Sequence, residues 1–405
     1  MGDAVTEPLI ARTPNWTPEA KADPALGYGP LFDGCPVARV EDQEIPYYLV
    51  SRYGDVMDLL RRVEVWSSAQ GAGIDYQAIG VLGSADRPVH TTHRRAVGPA
   101  FTPPLMAAME PQVAALARGL FDEFVERGNG DFVEDFAHPF PALVIAELLG
   151  VPADDRERFR AWSEAIVTGL GGEAIADRKQ AIAELDVYVR HLIAGHTERQ
   201  DGGEAPDAGL LAHLVSLHRL TGEVSHDEIV GLAIQLLVAG HETTTSLIGL
   251  MVYRLANDRA LFERLRGDRS LLDAMVEESL RIESPVQTLF RTPTEAVELH
   301  GCPIDANTKT GLSFAAANRD PEVWERPDEF DLDRFTGEHP RHLAFGHGIH
   351  HCVGAPLARR EGRVALELVL DHMDDPEVTG EVTFVRPSVL RGLRTLPLRW
   401  TPRTT

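Results

Sequence analysis

A single cysteine lies among glycines and histidines in the segment FGHGIHHCVG at residues 345–354, directly before a helix-like run. The chain has only three cysteines in 405 residues, so Cys352 does not belong to a disulfide framework. Exposed N–H groups at a helix N-terminus stabilise a thiolate and lower its pKa. The glycines at 346, 348 and 354 allow the backbone to pass close to a large flat group. We therefore predict that Cys352 is an axial ligand to haem iron.

The spacing of this segment, Phe-x-x-Gly-x-His-x-Cys-x-Gly, resembles the haem-binding loop of the cytochrome P450 family. Five fixed positions match by chance on the order of once in ten million starting points. The resemblance spans about residues 30–400 and implies a mainly α fold with a small β portion, in which a long central helix crosses the core over a buried haem. The loop positions predicted to bind the cofactor, haem b, are Phe345, Gly346, His350, Cys352 and Gly354, with Cys352 as the metal ligand.

Two other interpretations of this cysteine are open. A buried structural thiol is the usual fate of a lone cysteine, but it would not need three glycines within six residues. His347, His350, His351 and Cys352 could instead bind zinc, although their spacing matches no common four-ligand pattern.

A long apolar helix is predicted upstream of the cysteine loop. A capping box at residues 225–228 starts a helical run that continues to about Asn257, and the centre of this run is apolar nearly all round. The centre also contains AGHET at residues 239–243, although glycine costs about 1 kcal/mol in a helix and a buried acid costs more unless it is paired or functional. Thr243 can hydrogen-bond the carbonyl of Ala239, which bends a helix. These departures from helix rules within one turn indicate a functional site.

The same segment resembles the oxygen-binding motif of the P450 family, Ala/Gly-Gly-x-Asp/Glu-Thr. The resemblance implies that Ala239 and Gly240 are cofactor-binding positions, with Gly240 leaving room for dioxygen over the iron. It implies catalytic roles for Glu242, which would relay protons from solvent, and for Thr243, which would hold the distal oxygen. The alternative is a kinked core helix with a salt-bridged glutamate.

Other family positions are predicted to hold the cofactor or its loop. Glu278 and Arg281 match a helical Glu-x-x-Arg pair that, with a downstream arginine matched by Arg334, locks the thiolate loop, so we expect these three residues to be structural. Haem carries two propionates, which need cationic donors when they are buried. The positions that match propionate ligands are His90, Arg94, Arg291 and His350. For each of the four, the alternative is a solvated surface charge.

The charge balance and the termini restrict partners and location. Lys and Arg number 39 and Asp and Glu number 62, which gives a net charge of −23. So acidic a chain is a poor candidate for binding nucleic acid or an anionic membrane. No apolar run approaches the ~18 residues of a membrane span, and the start lacks the features of a secretory signal. We predict a cytoplasmic monomer, with an extended N-terminal lead at residues 1–30 and a single P450 domain at residues 31–405.

The resemblance implies a haem–thiolate monooxygenase that inserts one oxygen atom from O2 into a mid-sized, largely apolar organic substrate. Segments 71–84, 233–243, 286–290 and 388–390 are predicted to line its pocket. Without a fused reductase, electrons are expected from a ferredoxin-type iron–sulfur protein and its reductase, docked on a basic patch for which Arg359, Arg360 and Arg363 are candidates. The alternatives are a peroxide-using haem–thiolate peroxygenase and a non-catalytic haem sensor.

Overall fold

The computed structural model describes residues 9–11, 17–32, 36–74, 80–168, 175–204, 209–386 and 389–403, which are mainly helical. The helices are α1 (Pro18–Ala22), α2 (Ala25–Tyr28), α3 (Tyr53–Arg61), α4 (Val89–Val97), α5 (Pro103–Phe124), α6 (Pro139–Leu149), α7 (Arg156–Thr168), α8 (Ile175–Asp201), α9 (Leu210–Thr221), α10 (His226–Asn257), α11 (Arg259–Gly267), α12 (Leu272–Glu283), α13 (Phe314–Ala317) and α14 (Ala355–His372). The strands are β1 (Leu9–Ala11), β2 (Val37–Val40), β3 (Tyr47–Val50), β4 (Trp66–Ser67), β5 (Asn129–Asp131), β6 (Thr288–Pro293), β7 (Val297–Leu299), β8 (Cys302–Ile304), β9 (Thr310–Ser313), β10 (Met373–Val378), β11 (Thr383–Phe384), β12 (Leu393–Thr395) and β13 (Pro397–Pro402). None of these described helices is both long and apolar enough to cross a membrane.

The described chain forms two compact units. The first comprises the described residues of Met1–Asp86, Ala274–Cys352 and Arg386–Arg391. Its sheet has the strand order β1-β2-β3-β9-β6-β4, in which β9 runs parallel to β3 and antiparallel to β6. Strands β7 and β8 form a separate hairpin. The strands bury apolar side chains in two clusters, one of which joins Tyr28 of α2 to Phe290 of β6.

The second unit comprises the described residues of Arg87–Asp273, Val353–Val385 and Gly392–Thr405. Helix α10 packs against α6, α7, α8 and α14 within it. The N-terminus of α10 is held by the predicted capping box: Ser225 Oγ accepts from the Glu228 N–H at 3.2 Å, and the Glu228 carboxylate accepts from the Ser225 N–H at 2.7 Å. Both backbone donors are thereby satisfied, which fixes where the helix begins.

One detail of the predicted organisation is wrong. The described residues at 17–32 are not extended, because Thr17 caps α1 by accepting from the Ala20 N–H at 3.2 Å, Pro18 favours the first helical position, and α2 follows. Within residues 297–313, only β7 and β8 pair as a hairpin, whereas β9 is a central strand of the larger sheet. The predicted domain limits, the start at residue 31 included, stay a prediction.

Candidate active site

The cysteine loop lies at the end of Ala274–Cys352, the second of the three segments that form the first unit. The Cys352 N–H donates to the Phe345 carbonyl at 2.9 Å, which closes the loop, and the Cys352 side chain is exposed. Gly346 and Gly348 have φ values of 65° and 70°, in the left-handed region that favours glycine. A Cβ atom on Gly348 would lie 2.7 Å from the Leu60 carbonyl oxygen, so a side chain at this position would collide with the backbone. The loop conformation therefore requires glycine and presents the sulfur outward.

The predicted pairing of Glu278 with Arg281 and Arg334 is confirmed, whereas its role in locking the cysteine loop stays a prediction. Arg281 donates to both carboxylate oxygens of Glu278 at 2.7 Å, and both side chains are fully buried. Arg334 Nε lies 3.4 Å from Glu278 Oε1, which also accepts from the Asp331 N–H at 2.9 Å. The remaining Arg281 donors bind the carbonyls of Asn318, Pro327 and Glu329. A fully paired buried cluster of this kind holds backbone segments together and has no group left to react.

Arg291 on β6 is a buried cation of a different kind. Arg291 is 4% exposed, its guanidinium donates to the Phe290 carbonyl at 2.8 Å, and it forms no ion pair with any described residue. Burial lowers the pKa of Arg291 to about 10, against the opposing charge of Asp86. A buried guanidinium is costly without an anion, and a haem propionate would supply one. Arg291 therefore fits the predicted cofactor.

The other predicted propionate ligands lie on two elements. His350 follows the glycines of the cysteine loop, and its Nε2 lies 3.2 Å from Ser68 Oγ in the same unit. His90 and Arg94 lie one turn apart on α4 of the second unit, with His90 buried and Arg94 half-buried. Gly354 is the N-cap of α14. Their roles toward haem stay predictions.

The middle of α10 carries the predicted catalytic pair. Thr243 Oγ1 donates to the Ala239 carbonyl at 2.7 Å, which confirms the predicted bond within the helix. The Glu242 side chain is 7% exposed and forms no ion pair with the described part of the chain. Burial raises the pKa of Glu242 to about 7, and the charge of Arg394 only partly opposes this. The salt-bridged glutamate of the alternative interpretation is therefore absent among the described residues.

Two features of this helix turn were not predicted. A Cβ atom on Gly240 would lie 2.7 Å from the Ile145 side chain, so the glycine also lets α10 approach α6 closely. His241 is fully buried and contacts Ser163 and His138 through its two ring nitrogens. The sequence signal was its position four residues after buried Leu237, which places a polar ring on an apolar helix face.

The described part of the chain contains no group of three or more His, Cys, Asp or Glu side chains that could hold a metal ion. The zinc interpretation of the cysteine loop is therefore not supported. Parts of the predicted pocket at 75–79 and 387–388 lie outside the described residues.

Comparison with known proteins decides the family. A sequence model named Cytochrome P450 matches residues 36–374. The chain belongs to the cytochrome P450 family. The monooxygenase PikC of Streptomyces venezuelae is 39% identical over 78% of this chain and 75% of its own length. The vitamin D(3) 25-hydroxylase of Pseudonocardia autotrophica is 35% identical over 94% of this chain and 95% of its own. The crystal structure of CYP109E1 from Bacillus megaterium in complex with testosterone is 32% identical, with a TM-score of 0.82 over 95% of this chain and 99% of that one.

The predicted family, fold class and enzyme class are thereby confirmed. The chain is a cytochrome P450 monooxygenase, and P450 enzymes hold iron protoporphyrin IX through a cysteine thiolate. The buried Arg291 and the glycine-shaped cysteine loop fit that cofactor.

Proposed function

We propose that Cys352 is the thiolate ligand and that Glu242 and Thr243 deliver protons during insertion of one oxygen atom into an organic substrate. When haem is bound, the chemistry that it supplies is the activation of dioxygen, which an electron-donating thiolate favours. Gly346 and Gly348 would let the loop lie against the porphyrin, and Arg291 would bind a propionate. Replacing Cys352 by alanine should abolish the strongly red-shifted Soret band of the reduced carbon monoxide complex, and an unchanged band would contradict the ligand assignment.

The burial of Glu242 without an ion-pair partner among the described residues is the single observation that carries the proton-delivery role. With a pKa of about 7, this carboxyl can both hold and release a proton at neutral pH, as a general acid requires. The Thr243 hydroxyl donates to the Ala239 carbonyl, so its oxygen has lone pairs available to accept a further hydrogen bond. Glu242 therefore supplies the proton, and Thr243 offers an oxygen that can orient its acceptor.

Thr243→Ala tests this role. We expect NAD(P)H consumption to continue while product falls and hydrogen peroxide rises, because dioxygen is still reduced but the protons are misdirected. Thr245→Val, which changes a hydroxyl on the same helix, serves as the matched control. Full coupling in Thr243→Ala would contradict the proposal. A peroxygenase would behave differently, since its peroxide-driven turnover would survive the loss of Thr243, and a non-catalytic haem sensor would form no product with either oxidant.

We propose that the substrate is a mid-sized, largely apolar molecule of the steroid or sterol class. The predicted pocket segments 286–290 and 389–390 contribute mainly apolar side chains and are joined by the Val286–Leu390 bridge. A vitamin D(3) hydroxylase and a testosterone complex among the relatives support the same class. Testosterone and vitamin D3 are therefore the first probes. A substrate-type Soret shift with either would support the class, and no shift with both, beside a shift with a smaller aromatic compound, would exclude it.

The electron donor is proposed to be an acidic ferredoxin, but the predicted docking patch is largely neutralised. Arg360 pairs with Glu110 at 2.5 Å, and Arg363 pairs with Asp273 and Glu367 at 2.7 and 3.0 Å. Arg61 and Arg341 are instead exposed, and neither forms an ion pair with a described residue. Arg61 also donates to His347 of the cysteine loop at 3.3 Å. We therefore place the ferredoxin at Arg61 and Arg341.

Two double variants that each remove two positive charges separate the surfaces. Arg61→Gln/Arg341→Gln should raise the KM for a [2Fe–2S] ferredoxin by about threefold or more and weaken its dependence on salt, because unpaired charges steer association. Arg360→Gln/Arg363→Gln should change the KM little, since these charges are already compensated. If Arg360→Gln/Arg363→Gln raised the KM more than Arg61→Gln/Arg341→Gln, the docking surface would instead lie on α14.

A further inference from the structure

His241, between the two residues that break the helix pattern, joins α10 to two other elements. Its Nδ1 lies 2.5 Å from Ser163 Oγ on α7. Its Nε2 lies 2.8 Å from the carbonyl oxygen of His138, the residue that precedes α6. The rings of His138 and His241 also pack edge to face, with 4.2 Å between their centroids. All of these contacts are within one compact unit.

The partners of His241 define its tautomer. A carbonyl oxygen can only accept, so Nε2 carries the hydrogen, and Nδ1 accepts from the Ser163 hydroxyl. Burial lowers the pKa of His241 well below its usual range; the charges of His138 and Arg160 act in the same direction, and the hydrogen bond to the His138 carbonyl only partly opposes them. The ring is therefore neutral. The chain of hydrogen bonds ends at a backbone carbonyl that cannot take up a proton, so His241 does not relay protons to Glu242.

A fixed ring at position 241 determines where the next two side chains point. An α-helix turns by about 100° per residue, so Glu242 lies about 100° and Thr243 about 200° around the axis from His241. This turn of α10 needs such an anchor, because Gly240 weakens the helix and the Thr243 hydroxyl competes for the Ala239 carbonyl. The close contact between Gly240 and Ile145 brings the backbone near enough to α6 for the ring to reach.

We propose that His241 is a positioning residue whose neutral ring makes two hydrogen bonds, and that these bonds fix the rotation of the Ala239–Thr243 turn against α6 and α7. We call this pair of hydrogen bonds the tie. This inference rests on the proposed proton-delivery function of Glu242 and Thr243. We infer that the two hydrogen bonds of His241, and not merely a buried ring of suitable size, set the direction of the Glu242 and Thr243 side chains.

Hydrogen–deuterium exchange of the haem-loaded enzyme tests the tie directly. His241→Leu removes both hydrogen bonds, Ser163→Ala removes one, and His241→Gln keeps a donor and an acceptor. We expect amides 239–243 to exchange about tenfold faster or more in His241→Leu, less so in Ser163→Ala, and near the wild-type rate in His241→Gln. Thr245→Val is the matched control, because it alters a buried hydroxyl that has no hydrogen-bond partner among the described residues. Equal exchange in the Leu and Gln variants would overturn the tie.

The infrared C–O stretching band of the reduced carbon monoxide complex tests the consequence. His241→Leu should shift or broaden this band and His241→Gln should restore it, because the band reports the polar groups facing the ligand. Thr243→Ala and Glu242→Gln are the arms that test the underlying function. If neither changes the band, the proposed function fails, whereas a change in those two with none in His241→Leu overturns the positioning role alone.

Discussion

Glu278 and Glu242 are both buried carboxyl groups on helices, yet their surroundings are built differently. Glu278 is neutralised by Arg281 and Arg334 and accepts a backbone N–H as well. Glu242 has no ion-pair partner among the described residues, and burial holds its pKa near 7. A paired buried charge is held rigidly by its partners, whereas burial without a partner favours the neutral form of a carboxyl group. The comparison separates the structural region of this enzyme from the proposed reactive one.

The largest loss of stability should follow from breaking the buried ion pairs of Glu278. Glu278→Gln leaves two buried guanidinium groups without their anion, so we expect the free energy of unfolding to fall by about 3–5 kcal/mol. Urea unfolding of the haem-loaded protein measures this loss. The matched control is Glu329→Gln, which breaks an exposed ion pair with Arg326 and should cost less than about 1 kcal/mol. Equal effects of the two substitutions would mean that burial does not distinguish the pairs.

Glu242→Gln should change the free energy of unfolding in the opposite direction, and the size of this change should depend on pH. Burial raises the pKa of the folded-state carboxyl from 4.5 to about 7, so the protonated native form contributes stability that is present below pH 4.5 and lost as the pH rises through about 7. Glutamine has no charge to bury. The stability of Glu242→Gln relative to wild type should therefore increase by about 3 kcal/mol between pH 4.5 and 8.

Urea unfolding at several pH values measures this trend. Thr245→Val, which removes no titratable group, should differ from wild type by a constant amount across the same range. A pH-independent difference for Glu242→Gln would show that the carboxyl stays ionised in the folded enzyme and would remove the basis of the comparison.

These two regions also show what the sequence could predict. Contacts between near neighbours, such as Glu278 with Arg281 and Thr243 with Ala239, follow from helical spacing and are confirmed. The position of Arg334 came only from the family resemblance, because no spacing rule links it to Glu278 across 56 residues.

Most of the partners missed by sequence reasoning are distant along the chain. His241 contacts Ser163 and His138 across 78 and 103 residues. Arg360 was predicted to face a redox partner, but Glu110 of α5 neutralises it. Local patterns indicate that a polar group is buried or charged, but the folded chain decides what compensates it.

Arg291 lies in the same compact unit as Glu278, but it forms no ion pair with a described residue. It therefore offers a third test. Arg291→Met removes a buried cation that forms no ion pair with the described residues, so haem-free protein should be as stable as wild type or more stable. Haem should leave the variant about tenfold faster, as measured by transfer to apomyoglobin, because a charge-assisted propionate bond is lost. Arg319, equally buried but 3.2 Å from the Asp328 carboxylate, is the matched control. Arg319→Met should destabilise the haem-free protein. Destabilisation by Arg291→Met as well would assign Arg291 to the protein core.

The smallest expected change in the free energy of unfolding tests why position 240 is glycine. The glycine is needed either for close packing against α6 or for space beside the cofactor. Gly240→Ala gains about 1 kcal/mol of helix propensity but brings its Cβ to 2.7 Å from Ile145 Cδ1, so the two effects should nearly cancel. Ile145→Val removes that Cδ1 atom. In this background Gly240→Ala should raise the free energy of unfolding by a few tenths of a kcal/mol to about 1 kcal/mol, as measured by urea unfolding. If Ile145→Val does not change the effect of Gly240→Ala, contact with α6 is not what requires glycine. The predicted space above the haem then becomes the better explanation, and the reactive region extends along α10 to Gly240.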